Sequence, residues 1–244
     1  MPTREDAVAI QRRYYSETAG QYEQMHAHEG AGDAFNQRLI KTMLQLLGAE
    51  SVLDVGTATG YRLHDFHSAL PEAFLCGIEP VDALLGVARR SGVLASGSLI
   101  RGTGLALPFA DKSFDVVCEF ATLHHVEKPD VVVREMLRVA RKAVLISDSN
   151  RFGQGGFLVR LAKLAMYQTH TWQFFDWVRT KGKGYRFTEG DGLCYSYSIY
   201  DSFHLLASWA DRLIIFPSEG GKARSWLHPL LNSPGVVVFA IKET

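Results

Sequence analysis

Apolar residues in this chain come in two rhythms, and the rhythms alternate. Short near-continuous apolar runs occur at residues 51–55, 74–78, 97–101, 115–120 and 143–148, the lengths and β-branched content of buried strands. Between them, apolar positions recur at helical spacing over about 60–69, 81–90 and 129–140. Upstream, Leu39, Ile40, Met43, Leu44 and Leu47 form one stripe that Gly48 ends, and residues 4–24 read as one or two polar leading helices carrying Tyr14, Tyr15 and Tyr22. Downstream the pattern predicts a helix at about 201–210, a strand near Arg212–Phe216 and a last strand at Val236–Ile241. Alternation of this kind predicts an α/β fold, a mostly parallel seven-stranded sheet with helices on both faces.

The strand ends carry the candidate chemistry. Residues 51–60 read Ser-Val-Leu-Asp-Val-Gly-Thr-Ala-Thr-Gly, an apolar strand holding one acid, Asp54, then a turn of small residues that lets a ligand approach the backbone. Ala58 and Tyr61 occupy the second and third glycine positions of a Gly-x-Gly-x-x-Gly dinucleotide fingerprint, which disfavours NAD. Such a turn also arises for steric reasons alone. Phe74–Glu79 ends in an acid placed to accept hydrogen bonds from a ribose diol; a solvated helix-start charge is the plainer alternative for Glu79.

Four segments taken in order resemble the class I S-adenosylmethionine-dependent methyltransferases, of the small-molecule and quinone-biosynthesis type. They are the Asp54–Gly60 turn, the strand ending at Glu79, the block from Arg101 to Val117 with Leu107-Pro108-Phe109 and Ser113-Phe114-Asp115, and Leu123-His124-His125-Val126. The likeness covers about residues 14–149. It implies a Rossmann-like methyltransferase fold whose last strand runs antiparallel. It further implies a donor site for S-adenosylmethionine, leaving as S-adenosylhomocysteine, built from Asp54, Gly56, Thr57, Ala58, Gly60, Glu79, Pro80, Thr103, Gly104, Leu105, Glu119 and Phe120. Two departures stand out: Ala58 replaces a glycine, tolerable if its dihedrals stay negative, and Thr103 replaces the aspartate that accepts from adenine. The leading Tyr15–Tyr22 segment resembles one that folds over the donor in these enzymes. A non-catalytic relative that binds the donor or a partner protein is the alternative that these departures leave open.

His124 and His125 are the candidate general bases, since imidazole titrates near neutrality. His124 is expected to face the pocket, and successive residues at a strand end are not expected to face it together. The segment 150–199 is too long for a simple connection. Its aromatic residues, with Trp172, Tyr195 and Tyr197 as candidate acceptor contacts alongside Tyr15 and Tyr22, suggest a lid for an aromatic or partly apolar acceptor; a subunit interface or satellite core would use the same composition. The chain is expected to form a single domain, with N-terminal helices to 47, a cofactor core at 48–149, the lid, and residues 200–244 completing the sheet.

Composition narrows the partners. Lysine plus arginine and aspartate plus glutamate number 26 each, and no basic run offers a phosphate stripe, so nucleic acid is not expected. The 47% hydrophobic content supplies a core without any membrane-length apolar stretch. The polar start from Met1 to Asp6 does not resemble a signal peptide, and three scattered cysteines read as reduced core thiols, so a cytoplasmic location is expected. The pairs His26/His28 and His64/His67 come without a cysteine or carboxylate at zinc spacing, so no metal is expected. The sequence contains no Gly-x-Ser-x-Gly elbow and no phosphate loop, which argues against acyl and phosphoryl transfer.

Overall fold

A strand covered on both faces needs apolar side chains at successive positions, and the central strands here supply them. The computed structural model describes residues 4–25, 34–92, 98–218 and 233–243. Helices α1 (Arg4–Thr18) and α2 (Ala34–Leu46) precede β1 (Ser51–Val55), α3 (Tyr61–Ala69), β2 (Phe74–Glu79), α4 (Asp82–Arg90) and β3 (Ser98–Arg101). Then come β4 (Phe114–Phe120), α5 (Pro129–Val139) and β5 (Ala140–Ser149). The strand order is β3-β2-β1-β4-β5, all parallel, which places the carboxyl ends of β1, β2, β4 and β5 along one edge.

Alternation then sorts the side chains. Leu53, Val55, Val117, Val144 and Ile146 face α5, packing with Val133 and Met136. Val52, Leu75, Val116 and Leu145 face the other way, against Leu44 of α2 and Leu63 and Phe66 of α3. Most of these are fully buried, each contributing roughly 1.5–3 kcal/mol by burial. Gly48 stops α2 in the left-handed region (φ +54°), as its place after the stripe predicts.

The segment after β5 forms α6 (Phe157–Gln168), α7 (Trp172–Arg179) and a hairpin of β6 (Tyr185–Thr188) with β7 (Gly192–Tyr195). The hairpin docks on α1, where Tyr14 stacks edge-on to Phe187 at 5.5 Å. The outer faces of α6 and α7 leave Leu158, Phe174 and Trp177 exposed, while Trp172 turns inward and is buried. Helix α8 (Phe203–Trp209), β8 (Arg212–Pro217) and β9 (Gly235–Ile241) close the sheet. Strand β9 runs antiparallel between β5 and β8, completing seven strands with the direction the resemblance implied. No described helix is long and apolar enough to cross a membrane. His26 and His28 lie outside the described residues, as do the first three residues of the polar start.

Candidate active site

Two cavities open along the carboxyl edge of the sheet and meet at α1. The first, about 220 Å³, is lined by Val55, Gly56, Ala58, Glu79, Pro80, Thr103, Gly104 and Leu105, under Ala7, Gln11, Tyr15 and Tyr22. Its floor is the β1 turn. Gly56 has φ +81°, and a Cβ there would lie 2.3 Å from Thr122 Oγ1, so only glycine fits. Ala58 has φ +48°, which corrects the expectation of negative dihedrals: the alanine sits strained in the left-handed region. The Glu79 carboxylate clamps this turn, with Oε2 accepting from Ala58 N at 3.1 Å and Oε1 from Val81 N at 2.9 Å. Burial pushes Glu79 up to about 7 and Asp54 up to about 6. Thr103 lines the cavity, and its hydroxyl accepts from Leu105 N at 3.3 Å.

Five expected donor residues, Asp54, Thr57, Gly60, Glu119 and Phe120, lie outside this cavity, Asp54 in the second cavity described below. Gly60 caps α3 in the left-handed region (φ +77°) and lines neither cavity. Glu119 is fully buried beneath the edge and lines neither of these two cavities; Oε2 accepts from Thr122 N at 3.0 Å, and burial together with the Asp148 charge raises it well above the carboxylate range. Phe120 alone of that pair reaches the edge, in the second cavity, where Arg62 lies 5.0 Å over its ring. Thr57 also lines only this second space.

The second cavity is a cleft of about 420 Å³ lined by Tyr15, Tyr22, Asp54, Gly56, Thr57, Ala58, Arg62, Phe120, His124, His125, Asp148 and Asp191. Both histidines face it, against the expectation that one would turn away. The reason is local: Leu123–His125 is a turn of 3-10 helix rather than a strand end, and the two rings stand 4.0 Å apart. Only His125 also reaches the donor cavity.

Asp148 at the end of β5 organises the turn. Its Oδ2 accepts from the backbone of Leu123 at 2.8 Å and of His124 at 3.3 Å, while Oδ1 lies 2.7 Å from His124 Nδ1. That contact puts a proton on Nδ1 and turns Nε2 toward Asp191, 3.3 Å away on the β6–β7 hairpin. His125 is oriented the same way: Nδ1 lies 2.7 Å from the Leu193 carbonyl, and Nε2 lies 3.0 Å from the Tyr15 hydroxyl and 3.2 Å from Asp191 Oδ1. Burial would lower both imidazoles, but the carboxylates overcome it. His124 is raised well above its ordinary value by Asp148 and Asp191, and His125 to about 9 against the charge of His124. The carboxylates thus favour the protonated form of both imidazoles.

Cys194 joins this cluster, its Sγ 3.1 Å from Asp191 Oδ2, and is no core thiol; Cys76 and Cys118 are buried as expected. Burial raises the Cys194 thiol, and the two imidazoles overcome that and hold it below the ordinary range. The donor atoms of His124, His125, Asp191 and Cys194 all lie within 4.8 Å of one another. Two imidazoles, a carboxylate and a thiol are a donor set that zinc accepts. Spacing could not show this, because the hairpin folds in from 66 or more positions downstream of the histidines. Asp148 was findable: it is a strand-end acid like Asp54 and Glu79. A third cavity, about 280 Å³, lies beyond His124 and is lined by Trp172, Tyr195 and Tyr197 among others. Tyr15, Tyr22 and Tyr195 also border the donor cavity, and the buried Tyr197 donates to Ser202 Oγ at 3.3 Å.

The methyltransferase domain family matches residues 53–146, the stretch from β1 into β5. An uncharacterised methyltransferase of Mycolicibacterium paratuberculosis is 30% identical over 195 residues, 79% of this chain and 73% of that protein. The chain belongs to the methyltransferase family. An uncharacterised methyltransferase of Mycobacterium leprae is 29% identical over 178 residues, covering 72% of this chain but 64% of that relative's length. Among solved structures, an S-adenosylmethionine-dependent methyltransferase of Thermotoga maritima aligns over 96% of this chain and all of its own, with a TM-score of 0.55 at 16% identity. One from Aquifex aeolicus aligns over 83% of this chain and 89% of its own, with a TM-score of 0.50 at 15% identity. Likeness at that identity is one of fold.

Proposed function

We propose that this methyltransferase moves the methyl group of S-adenosylmethionine to an oxygen, nitrogen or carbon nucleophile of a small metabolite that is aromatic or partly apolar. The observation that carries the reading is the junction of the donor cavity and the cleft at His125, with His124 beside it. The donor cavity suits an adenosine: Glu79 faces it with a carboxylate for the diol, and Leu84 and Val132 give it apolar walls. Thr59 Oγ1 in the β1 turn, which lines the cleft rather than the donor cavity, is buried with no hydrogen-bond partner among the described residues.

The bound donor supplies an electrophilic methyl whose sulfur leaves as a neutral thioether. The chain's own residues hold the acceptor in line and accept its proton. A neutral His124, its Nδ1–H held by Asp148, offers Nε2 to an acceptor hydroxyl or amine in the cleft. Asp148 and Asp191 then stabilise the imidazolium that forms. Tyr15 and Tyr22 border both cavities and close them from the α1 side.

The test is transfer of labelled methyl from S-adenosylmethionine to a panel of hydroxy- and amino-aromatic compounds. Turnover that falls by about 10²–10⁴ in His124→Gln, with donor affinity kept, supports the reading. Full turnover in that variant overturns the assigned base. A chain that binds the donor and methylates nothing in the panel is the behaviour of the non-catalytic relative.

A further inference from the structure

The third cavity gathers positive charge that nothing in the donor site uses. Arg151, Lys163, Arg179 and Arg186 all line it, from the turn after β5, α6, α7 and β6. Asp201 pairs with Arg151 and Asp176 with Arg179, while Asp191, which also lines the cavity, is engaged by His124 and His125. Among the described residues Lys163 has no carboxylate partner, its Nζ donating to the backbone carbonyls of Arg151 and Gln154, each at 3.0 Å. Burial, with the surrounding guanidinium charges, lowers its pKa. Arg186 makes no ion pair among the described residues.

Polar atoms are also left over. The Nε groups of Arg151 and Arg179 are buried without a hydrogen-bond partner, and a buried N–H left unmade costs about 1–3 kcal/mol. Arg151 is itself almost wholly buried, stacked at 5.2 Å over Trp172, so its charge is held in place by packing. Like charges crowded into one concave wall are unfavourable unless an anion completes them. The cavity's other end is His124, which also lines the cleft.

We infer that this cavity is the anion subsite of the methyl acceptor: the substrate carries a carboxylate or a phosphate, seated among Arg151, Lys163, Arg179 and Arg186, while its nucleophile lies at His124. The inference rests on the proposed methyl transfer and narrows its substrate class. Trp172, Tyr185 and Tyr195 border the same space and give the acceptor's apolar part flat surfaces.

The probes are benzoate, phenyl phosphate and the neutral benzyl alcohol, added to protein saturated with S-adenosylhomocysteine. The readout is the arginine Nε–Hε region of ¹H–¹⁵N spectra. One or both anions should shift the Arg151 and Arg179 signals saturably, and which one does so names the group. Benzyl alcohol should bind at least about tenfold more weakly, the worth of one charged hydrogen bond. Lys163→Met and Arg186→Ala should each weaken the anion by about tenfold without changing affinity for S-adenosylhomocysteine. Equal response to the alcohol, no saturable shift with either anion, or unchanged anion binding in both variants overturns the subsite. Loss of S-adenosylhomocysteine binding in the unaltered protein would instead fault the donor reading, so the two failures are separable.

Discussion

Replacing Glu79 by Gln separates a ribose-binding carboxylate from one that only clamps a turn. In the free protein burial raises this carboxyl from 4.5 to about 7, so its ionised form is disfavoured by roughly 2.5 × 1.36, or about 3 kcal/mol. Donated hydrogen bonds from a diol favour the ionised form. Donor binding and ionisation therefore help each other, and the coupling is reciprocal. The sign follows: S-adenosylmethionine affinity climbs as pH rises toward about 7 and levels off above it, where the carboxylate is already ionised. Removing the charge costs one or two charged hydrogen bonds, about 1.5–3 kcal/mol, or some 10- to 100-fold in affinity at pH 8. The Gln variant also loses the pH dependence. Calorimetric titration with S-adenosylmethionine from pH 5.5 to 8.5, on both proteins, reads all of this. A variant that keeps its affinity at pH 8, or an unaltered protein whose affinity is flat across the range, refutes the diol assignment.

Other outcomes follow from the same geometry. Because His124 lies well above its ordinary value, the methyl-transfer rate should keep climbing above pH 6.5 as its imidazole loses its proton; Asp148→Asn should move that limb to lower pH, and a limb left in place contradicts the base assignment. The raised His125 stabilises the fold fully below 6.5 and loses that contribution as pH rises toward 9, so the melting temperature of the free protein should fall over that interval. Ala58→Gly releases about 1 kcal/mol of left-handed strain but gives up a buried methyl worth about 0.8 kcal/mol and adds freedom to the unfolded chain. Stability should change by less than about 1 kcal/mol and donor affinity should not fall; a large loss means the loop is misread. Gly56→Ala should abolish donor binding in titration, since its Cβ would collide with Thr122 in a backbone conformation that strains alanine.

Elements with a single strong period were legible from the residues. Strands β1, β2 and β4 and helix α5 were readable because buried strands need unbroken apolar runs and amphipathic helices need a stripe. The direction of β9 was not, since antiparallel and parallel strands share one pattern; it came from the resemblance. At the site, Asp54 and Glu79 could be placed because strand ends fix them, while Thr103 came from the resemblance. Asp191 and Cys194 could not, because they reach the histidines through a hairpin whose docking depends on Gln11, Tyr14 and Tyr15 of α1. Glu119 was misplaced because strand alternation turns it under the edge while its neighbour Phe120 faces the cleft. The histidines were misjudged for a related reason: a 3-10 turn sets successive side chains on one side where a strand would part them. The dihedral of Ala58 was equally hidden, since a left-handed alanine leaves no mark in composition.

The most direct test of the whole account is titration of the purified chain with S-adenosylmethionine and, separately, S-adenosylhomocysteine. The account predicts saturable binding of both at about one site per chain, weakened in common by Glu79→Gln. Binding of neither would contradict it, turning the left-handed Ala58 and the substituted Thr103 into disabling changes and leaving a methyltransferase fold that serves some purpose other than methyl transfer.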